Sequence, residues 1–295
     1  WANRLLKPHG RKIGPDPASI DSAMIGGIVA NNASGMCCGT AQNSYKTLAA
    51  MRLVLADGTM LNSSDPESCE TFRQSHQQLL SSLTEIRNEI LADSTLHAMI
   101  ERKYKIKNTC GYGLNSFTDF EDPLDILLHL MVGSEGTLGF ISEVTYHTVE
   151  DPPHVSCALV FFDSIETACL ATAALKHTPV SAVELMDDRA LRLMQGRPGI
   201  PKTVTAGSMA LLVDVRAASL SELSDKCQQV QQCLTEYQAT ADFTASPTDY
   251  AALWKIRKGL FPIVGAEREQ GTTVIIEDIC FTLDERASGT QALQK

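Results

Sequence analysis

The sequence predicts an α+β fold in two domains, and three observations carry that expectation. Its 295 residues exceed one typical domain and suit two. Segments with helical hydrophobic spacing alternate with short β-branched runs along the chain. A polar, proline-bearing stretch, "EDPPH" at residues 150–154, interrupts this pattern midway and reads as a linker. The expected domains are therefore 1–150 and 151–295. With 44% hydrophobic and 20% charged residues, the chain has the composition of an ordinary globular protein that buries a core.

Residues 1–9 read as the end of a helix. In "GRKIGPDPAS", Pro15 and Pro17 break any regular element. Residues 22–36 read as a short helix or turn flanked by glycines. "LAAMRLVLADGTML" reads as a hairpin: a strand over 49–55, an Asp57-Gly58 turn and a short return strand. Between 70 and 104, Leu79, Leu80, Leu83, Ile86, Ile90 and Met99 recur at helical spacing, which predicts one or two amphipathic helices. A further helix over 123–132 opens with Pro123 in its first turn and Asp122 as N-cap. "GSEGTLGFISEVTYHTV" is a glycine-rich turn running into a β-branched strand.

The second domain reads as strand 155–162, helix 164–177, strand 181–186, short helix 187–195 and a Gly/Pro loop. Strand 208–215, helices 219–238 and 248–260, and strand 272–282 follow. Asp187, Asp188 and Arg189 follow a strand and mark a helix N-terminus, where the dipole favours acids.

Charge narrows the function. The 25 basic and 35 acidic side chains give a net charge of −10, which argues against nucleic acid as the main partner. No apolar run approaches the roughly 20 residues of a membrane-spanning helix. No signal peptide is visible, and the chain opens at Trp1, so it reads as a fragment of something longer. The nine cysteines (37, 38, 69, 110, 157, 169, 227, 233 and 280) include no CxxC, and an odd number without zinc spacing suggests a reducing, cytoplasmic setting. Cys37 and Cys38 are either two small side chains lining a tight turn or a redox-active or cluster-ligating pair.

Two glycine-rich segments stand about a hundred residues apart: "SAMIGGIVANNASGMCCGT" at 22–40 and "GSEGTLG" at 133–139. Neither is a GxGxxG after a strand, and no GK[ST] occurs. Bare backbone of this kind suits close approach by a bulky ligand such as a nucleotide, and equally suits plain turn chemistry.

"GPDPASIDSAMIGGIVANNASG", "LVLADGTML" and "GSEGTLGFISEVT", in that order, resemble the flavin domain of the vanillyl-alcohol-oxidase/PCMH superfamily. Within it they resemble the branch of FAD-linked D-lactate, glycolate and D-2-hydroxyglutarate dehydrogenases. "IKNTCGYGLNSF" and "ELMDDRAL" are similar to stretches of the large bacterial members that also carry a C-terminal iron–sulfur module. The resemblance covers essentially the whole chain. It implies that 1–150 is the second half of a PCMH-type FAD-binding domain and that 151–295 is most of an α+β, ferredoxin-like substrate-cap domain. By resemblance, Ser22, Ile25, Gly26, Gly27, Asn31, Asn32, Ser34 and Gly35 lie along the pyrophosphate and the flavin ring. Glu135, Gly136, Gly139 and Ile141 lie along the nucleotide, with the Ile141 backbone at the adenine end. Cys110 stands where relatives carry threonine. The phosphate-cradling P-x-G-x-G-T/S loop of the family has no match before residue 10, and its metal-site histidines are not matched by His9, His76, His97, His129, His147, His154 or His177.

In "DYAALWKIRKGLFPIVG", Trp254, Lys255, Arg257 and Lys258 sit on one expected helix. Read from the residues, Arg257 and Lys258 are either a solvated helix face or a carboxylate clamp. The resemblance favours the clamp, because relatives carry W-x-x-R here with the arginine on the substrate carboxylate. Glu277 and Asp278 in "VIIEDICF" either pair with a cation or face water at a strand edge.

The implied activity is an FAD-dependent dehydrogenase that oxidises a D-2-hydroxy acid by hydride transfer to the flavin. Its base would be a histidine outside this chain. Its electron acceptor, a quinone or an iron–sulfur module, would also lie outside it, with at most peripheral contact to the inner membrane. The alternatives are an FAD-dependent oxidase of sugars or alcohols, and a truncated, non-catalytic flavoprotein fragment.

Overall fold

Short polar side chains set the helix starts. Asp65, Asp93, Asp122, Ser164, Asp187 and Ser219 each accept a backbone amide of the helix that follows, so donors without an intrahelical partner are satisfied locally. The structure, a computed structural model, describes all residues except 18, 21, 36, 109–110, 197–199, 201–203, 268, 273–280, 283–284, 286–287, 290–291 and 293–295, and in the last helix it describes no side chain at 258 or 260–267. The chain divides into two compact units, Trp1–Asp151 and Pro152–Lys295.

In the first unit, α1 (Ala2–Leu6) passes through a 3-10 turn (Lys7–His9) into β1 (Arg11–Ile13). Then come α2 (Ile25–Ala30), α3 (Ser44–Thr47), β2 (Leu48–Val54), β3 (Met60–Asn62), α4 (Pro66–Ser75), α5 (Gln77–Ala92), α6 (Ser94–Lys103), α7 (Ser116–Asp119), α8 (Pro123–Met131), β4 (Phe140–Tyr146) and β5 (Thr148–Glu150). The hairpin β2–β3 forms around Asp57-Gly58, and β4 pairs antiparallel on the other side of β2, giving the order β3-β2-β4. Its core gathers Met51, Leu53 and Leu61 from the sheet, Phe72 from α4, Leu80 and Leu83 from α5, and the almost wholly apolar α8. A helix apolar all round has to be buried, and α8 is.

The amphipathic stretch over 70–104 forms three helices, α4 to α6, rather than one or two. Its breaks fall at His76, whose backbone leaves the helical region (φ −119°, ψ 33°), and at Asp93. The Asp93 carboxylate accepts the amides of Thr95 and Leu96 at 2.9 and 3.0 Å, starting α6 instead of continuing α5. The proline-flanked stretch expected to lack regular structure contains β1, which pairs antiparallel with β5, Arg11 opposite Glu150. Three residues are too few to show a period, and their partner lies at the far end of the unit.

In the second unit the order is β6 (His154–Phe162), α9 (Ile165–Leu175), β7 (Ala182–Met186), α10 (Asp188–Leu193), β8 (Met209–Ala217), α11 (Leu220–Thr235) and α12 (Pro247–Glu267). β8 lies antiparallel between β6 and β7, so β6–α9–β7 is a split β-α-β crossover. One face of β8 (Leu211, Val213, Val215) packs against Ala168 and Leu175 of α9 and Val230 and Leu234 of α11. The helix expected over 248–260 runs on to Glu267. The strand expected over 272–282 lies mostly outside the described residues.

Asp122 both caps α8, accepting Leu124 N at 2.9 Å, and takes the Arg73 guanidinium, with Nη1 to Oδ1 at 2.9 Å and Nη2 to Oδ2 at 2.5 Å. The Arg73 hydrogen bond, more than the cap, holds the Asp122 carboxyl below the usual carboxylate range. A lowered folded pKa means that the stabilisation is present above the unfolded pKa and is lost as the pH falls through the folded one. Both side chains of the pair are more than a third exposed, so solvent screening leaves the cap as the main term. Asp122→Ala is expected to cost about 1 kcal/mol at neutral pH. Urea denaturation checks this, and the gap between the two proteins should close as the pH falls below about 4.

Candidate functional site

α2 is only six residues long, so its last carbonyls need partners from elsewhere. Three of them are met locally: Gly27 O accepts Asn31 N at 3.0 Å, Ile28 O accepts Ala33 N at 3.0 Å and Val29 O accepts Asn32 N at 2.9 Å. The last two reach the distant glycine turn, Val29 O by taking a second donor. Val29 O accepts Gly133 N at 3.1 Å, and Ala30 O accepts Glu135 N at 2.9 Å. A side-chain bond reinforces the joint, Asn31 Nδ2 donating to Glu135 Oε1 at 2.7 Å across 104 positions of sequence. The turn meets α2 because several residues take left-handed backbone: Asn32 (φ 49°), Gly133 (83°), Glu135 (51°) and Gly136 (75°). Glycine and asparagine adopt it at little cost; a glutamate does so only where its surroundings hold it.

The junction encloses a groove of about 440 Å³, lined by Gly26, Gly27, Glu135, Gly136, Gly139 and Ile141 together with Met24, Ala30 and Phe140. That volume lies within the usual range of small-molecule sites. A Cβ added to Gly27 or Gly136 would meet nothing within 4 Å, and one added to Gly26 would come no closer than 3.5 Å to Ile141 O. Those glycines keep open space open. Gly139 is different: its Cβ would stand 2.9 Å from Val54 O, so it permits the approach of β2.

The other expected cofactor residues sit elsewhere in the same unit. Ser22 is exposed and donates to Ser19 O at 3.2 Å. Ile25 packs against the core of the first unit. Asn32 lines a second pocket of about 250 Å³ with Gly133, Tyr45 and Asn115, and its Oδ1 accepts Tyr45 N at 3.3 Å. In that pocket wall the buried Asn115 Oδ1 has no hydrogen-bond partner among the described residues, while Tyr45 OH, Lys46 Nζ and Asn115 Nδ2 all donate to Asp119 Oδ2.

Ser34 and Gly35 belong to a knot around Asp16. Ser34 O accepts Asp16 N at 3.2 Å, and a Cβ on Gly35 (φ 85°) would lie 2.1 Å from Asp16 O. The Asp16 carboxylate accepts the amides of Cys37 and Cys38 at 3.1 and 3.2 Å. Burial raises the Asp16 pKa against the opposing pull of Lys12 and these amides. Burial, with Asp16 beside it, pushes the Cys38 thiol up to about 12, and that thiol donates to Ser34 O. A thiol held protonated in this way fits the tight-turn reading of the cysteine pair.

In the second unit, Tyr250, Trp254 and Arg257 recur at i, i+4 and i+7 and so share one face of α12. Tyr250 OH and Trp254 Nε1 donate to Oδ2 of the fully buried Asp214 at 2.5 and 3.1 Å, and Arg216 Nε donates to its Oδ1 at 2.9 Å. Arg257 Nε and Nη2 both donate to Glu184 Oε2, at 3.1 and 2.9 Å, with the arginine side chain 30% exposed. It is thus a fixed, reachable guanidinium rather than a loose helix-surface charge. The Lys258 side chain, and Glu277 and Asp278, lie outside the described residues.

Sequence reasoning missed Met24 and Phe140 at the groove and Asp214 and Glu184 beneath α12. Adjacency to Gly26 and Ile141 was the available signal for the first two. For Asp214 the signal was a carboxylate inside the apolar run "MALLVDVRA".

Comparison with known proteins bears on the whole chain. Residues 151–295 match the family described as FAD linked oxidases, C-terminal domain, and residues 2–64 match the FAD binding domain. The D-lactate dehydrogenase (cytochrome) 1, mitochondrial, of Saccharomyces cerevisiae is 24% identical over 91% of this chain and 37% of its own length. The glycolate oxidase subunit GlcD of Escherichia coli K12 is 24% identical over 89% and 42%, and the D-2-hydroxyglutarate dehydrogenase of Haemophilus influenzae 24% over 94% and 29%. The chain therefore spans between 29% and 42% of the length of these curated relatives. Among solved structures, an alkyldihydroxyacetonephosphate synthase superposes with a TM-score of 0.55 at 14% identity, over 89% of this chain and 43% of that one, which is a likeness of fold.

The two kinds of glycine should separate by mutation. Gly35→Ala drives a methyl into the Asp16 backbone at positive φ and is expected to cost roughly 3 kcal/mol or more. Gly27→Ala replaces a glycine in α2 that faces open space, and is expected to leave stability unchanged or raise it by up to about 1 kcal/mol. Thermal unfolding of the two variants checks the contrast.

Proposed function

We propose, from the premise that this chain belongs to the FAD-linked oxidase family and uses FAD as cofactor, that it serves the oxidation of a small D-2-hydroxy acid. The observation that carries the reading is the groove. Two glycine turns remote in sequence are joined by backbone bonds, and the glycines facing the gap hold it open where any side chain would fill it. Such a cradle fits a dinucleotide lying flush on the main chain. Asn115 Oδ1 in the neighbouring pocket wall, without a partner among the described residues, is a buried acceptor of the kind a polar ligand satisfies.

When bound, FAD supplies the two-electron acceptor for the substrate's carbinol C–H bond. In this reading, α2 and the Ser134–Gly136 turn bind and orient the cofactor. Arg257 holds the substrate carboxylate, with Lys258 as a second cation on the same helix. The three relatives named above all take their names from small hydroxy acids or their oxidation, and each such acid carries a carboxylate beside the carbinol carbon. Glu184 occupies the Nε–Nη2 edge of the guanidinium, which fixes the direction of its terminal N–H groups before substrate arrives. We place the base for the hydroxyl proton outside this chain, together with the electron acceptor, a quinone or an iron–sulfur module. The cysteine pattern supports a cytoplasmic setting.

Full-length protein carrying this chain is expected to quench the fluorescence of added FAD and to oxidise D-lactate, glycolate or D-2-hydroxyglutarate with an artificial electron acceptor. Arg257→Ala should raise KM for the hydroxy acid by about tenfold or more, with bound flavin unchanged. Equal losses on hydroxy acids and on neutral polyols would discard the acid reading, and no flavin binding at high micromolar FAD would discard the cofactor site.

A further inference from the structure

We infer that Asp214 is a positioning residue for the substrate clamp: through Tyr250 and Trp254 it sets the register of α12 on the sheet, and so places Arg257 where a substrate carboxylate can meet it. This rests on the reading of Arg257 as that clamp and adds the group that determines where the guanidinium stands.

Burial sets Asp214 apart. Ala210, Leu212 and Asp214 alternate along one face of β8, and none of the three has any exposed surface. Two of them are apolar, as a packed face requires. The third is a carboxylate, which is costly to bury unless its acceptors are met. They are met by side chains: Tyr250 OH and Trp254 Nε1 donate to Oδ2 at 2.5 and 3.1 Å, and Arg216 Nε donates to Oδ1 at 2.9 Å. An apolar side chain of similar volume would hold the sheet and the helix together at least as well. What the carboxylate adds is direction, because a phenol and an indole must both point at one oxygen.

Packing alone leaves the rotation of α12 open. Ala251, Ala252, Leu253, Trp254 and Ile256 spread apolar surface around the helix rather than along one stripe. A shift by one residue turns a helix by about 100° and advances it by about 1.5 Å. Tyr250 and Trp254 stand one turn apart and share Oδ2, so such a shift would break both bonds and leave a buried carboxylate short of two donors. A second contact follows along the same face. Asp214 pairs with Ala182, and Leu212 with Glu184, which puts the Asp214 and Glu184 side chains on one face of the sheet. Glu184 Oε2 accepts Nε and Nη2 of Arg257, about one turn beyond Trp254. Two carboxylates thus mount α12 at two points. The Nη1–Nη2 end of the guanidinium is left as the fork for an incoming carboxylate.

The test is a double-mutant cycle on the full-length protein. The substrate is whichever of D-lactate, glycolate and D-2-hydroxyglutarate is oxidised fastest, and the matching 2-oxo acid serves as a binding probe. Asp214→Asn keeps the shape and removes the charge. It is expected to raise KM, and the calorimetric Kd of the 2-oxo acid, about tenfold, with bound flavin unchanged and kcat altered by less than about threefold. Tyr250→Phe keeps the ring and removes one donor. It is expected to raise both constants about threefold, and it carries the test if Asp214→Asn does not fold. In an Arg257→Ala background neither change should weaken binding further. A buried group that acts only on stability would give the same factor with and without Arg257, and that additivity would overturn the inference. So would unchanged KM and Kd in both single variants. Should Arg257→Ala itself leave KM and Kd unaltered, the clamp reading fails and the inference with it. A large Arg257→Ala effect without coupling to Asp214 or Tyr250 removes the inference alone.

Discussion

Two backbone hydrogen bonds, Gly133 N to Val29 O and Glu135 N to Ala30 O, set most of what matters in the first unit. They arise at the end of a six-residue helix, whose last carbonyls face past it: Ala30 O takes Glu135 N, and Val29 O, already bonded to Asn32 N at 2.9 Å, takes Gly133 N as a second donor. The turn after α8 supplies both donors, and in doing so brings its own glycines opposite those of α2. The groove is a by-product of this pairing, and its width follows from the absence of side chains at Gly27 and Gly136. β4 leaves the same turn and pairs with β2, so the sheet and the groove are fixed by one event.

Glycines that look alike in sequence play opposite parts. At Gly14 a Cβ would strike Gln42 O at 2.1 Å, and at Gly35 it would strike Asp16 O at the same distance. Those positions exist so that one strand of backbone can lie on another. Gly27 and Gly136 face empty space. The first kind builds the loop around Asp16, which gathers the amides of Cys37 and Cys38 and steadies the end of the glycine-rich segment. The second kind leaves room for a ligand. Counting glycines therefore overstates the open groove: within "NNASG", Asn31 bonds Glu135 of the groove wall, while Ser34 and Gly35 pack against Asp16.

What the sequence disclosed follows the range of the interaction behind it. Asp122, Asp187 and the Asp57-Gly58 turn act on neighbours two or three residues away, and their elements stand where local chemistry puts them. The β1–β5 pair and the Arg257–Glu184 pair depend on partners far along the chain, and nothing in a local window announces them. Arg257 shows the difference well. Its residue type and helical setting were readable, but the anion that fixes its guanidinium lies on a strand 73 positions earlier. Met24 and Phe140 were hidden for another reason: exposed apolar residues are ordinary singly and become informative only when two flank one cleft.

The second unit repeats the principle with side chains. α12 presents Tyr250, Trp254 and Arg257 on one face, and the sheet answers with Asp214 and Glu184. These polar contacts tie the helix register to the sheet and so determine where Arg257 stands. The central claim, that the two glycine turns form one ligand surface, is tested most directly by amide hydrogen exchange with and without FAD. The account requires that residues 25–31 and 133–141 slow together when FAD is added, with the amides of Gly133 and Glu135 already protected in its absence. Independent exchange of the two segments, or protection by FAD at neither, would contradict it.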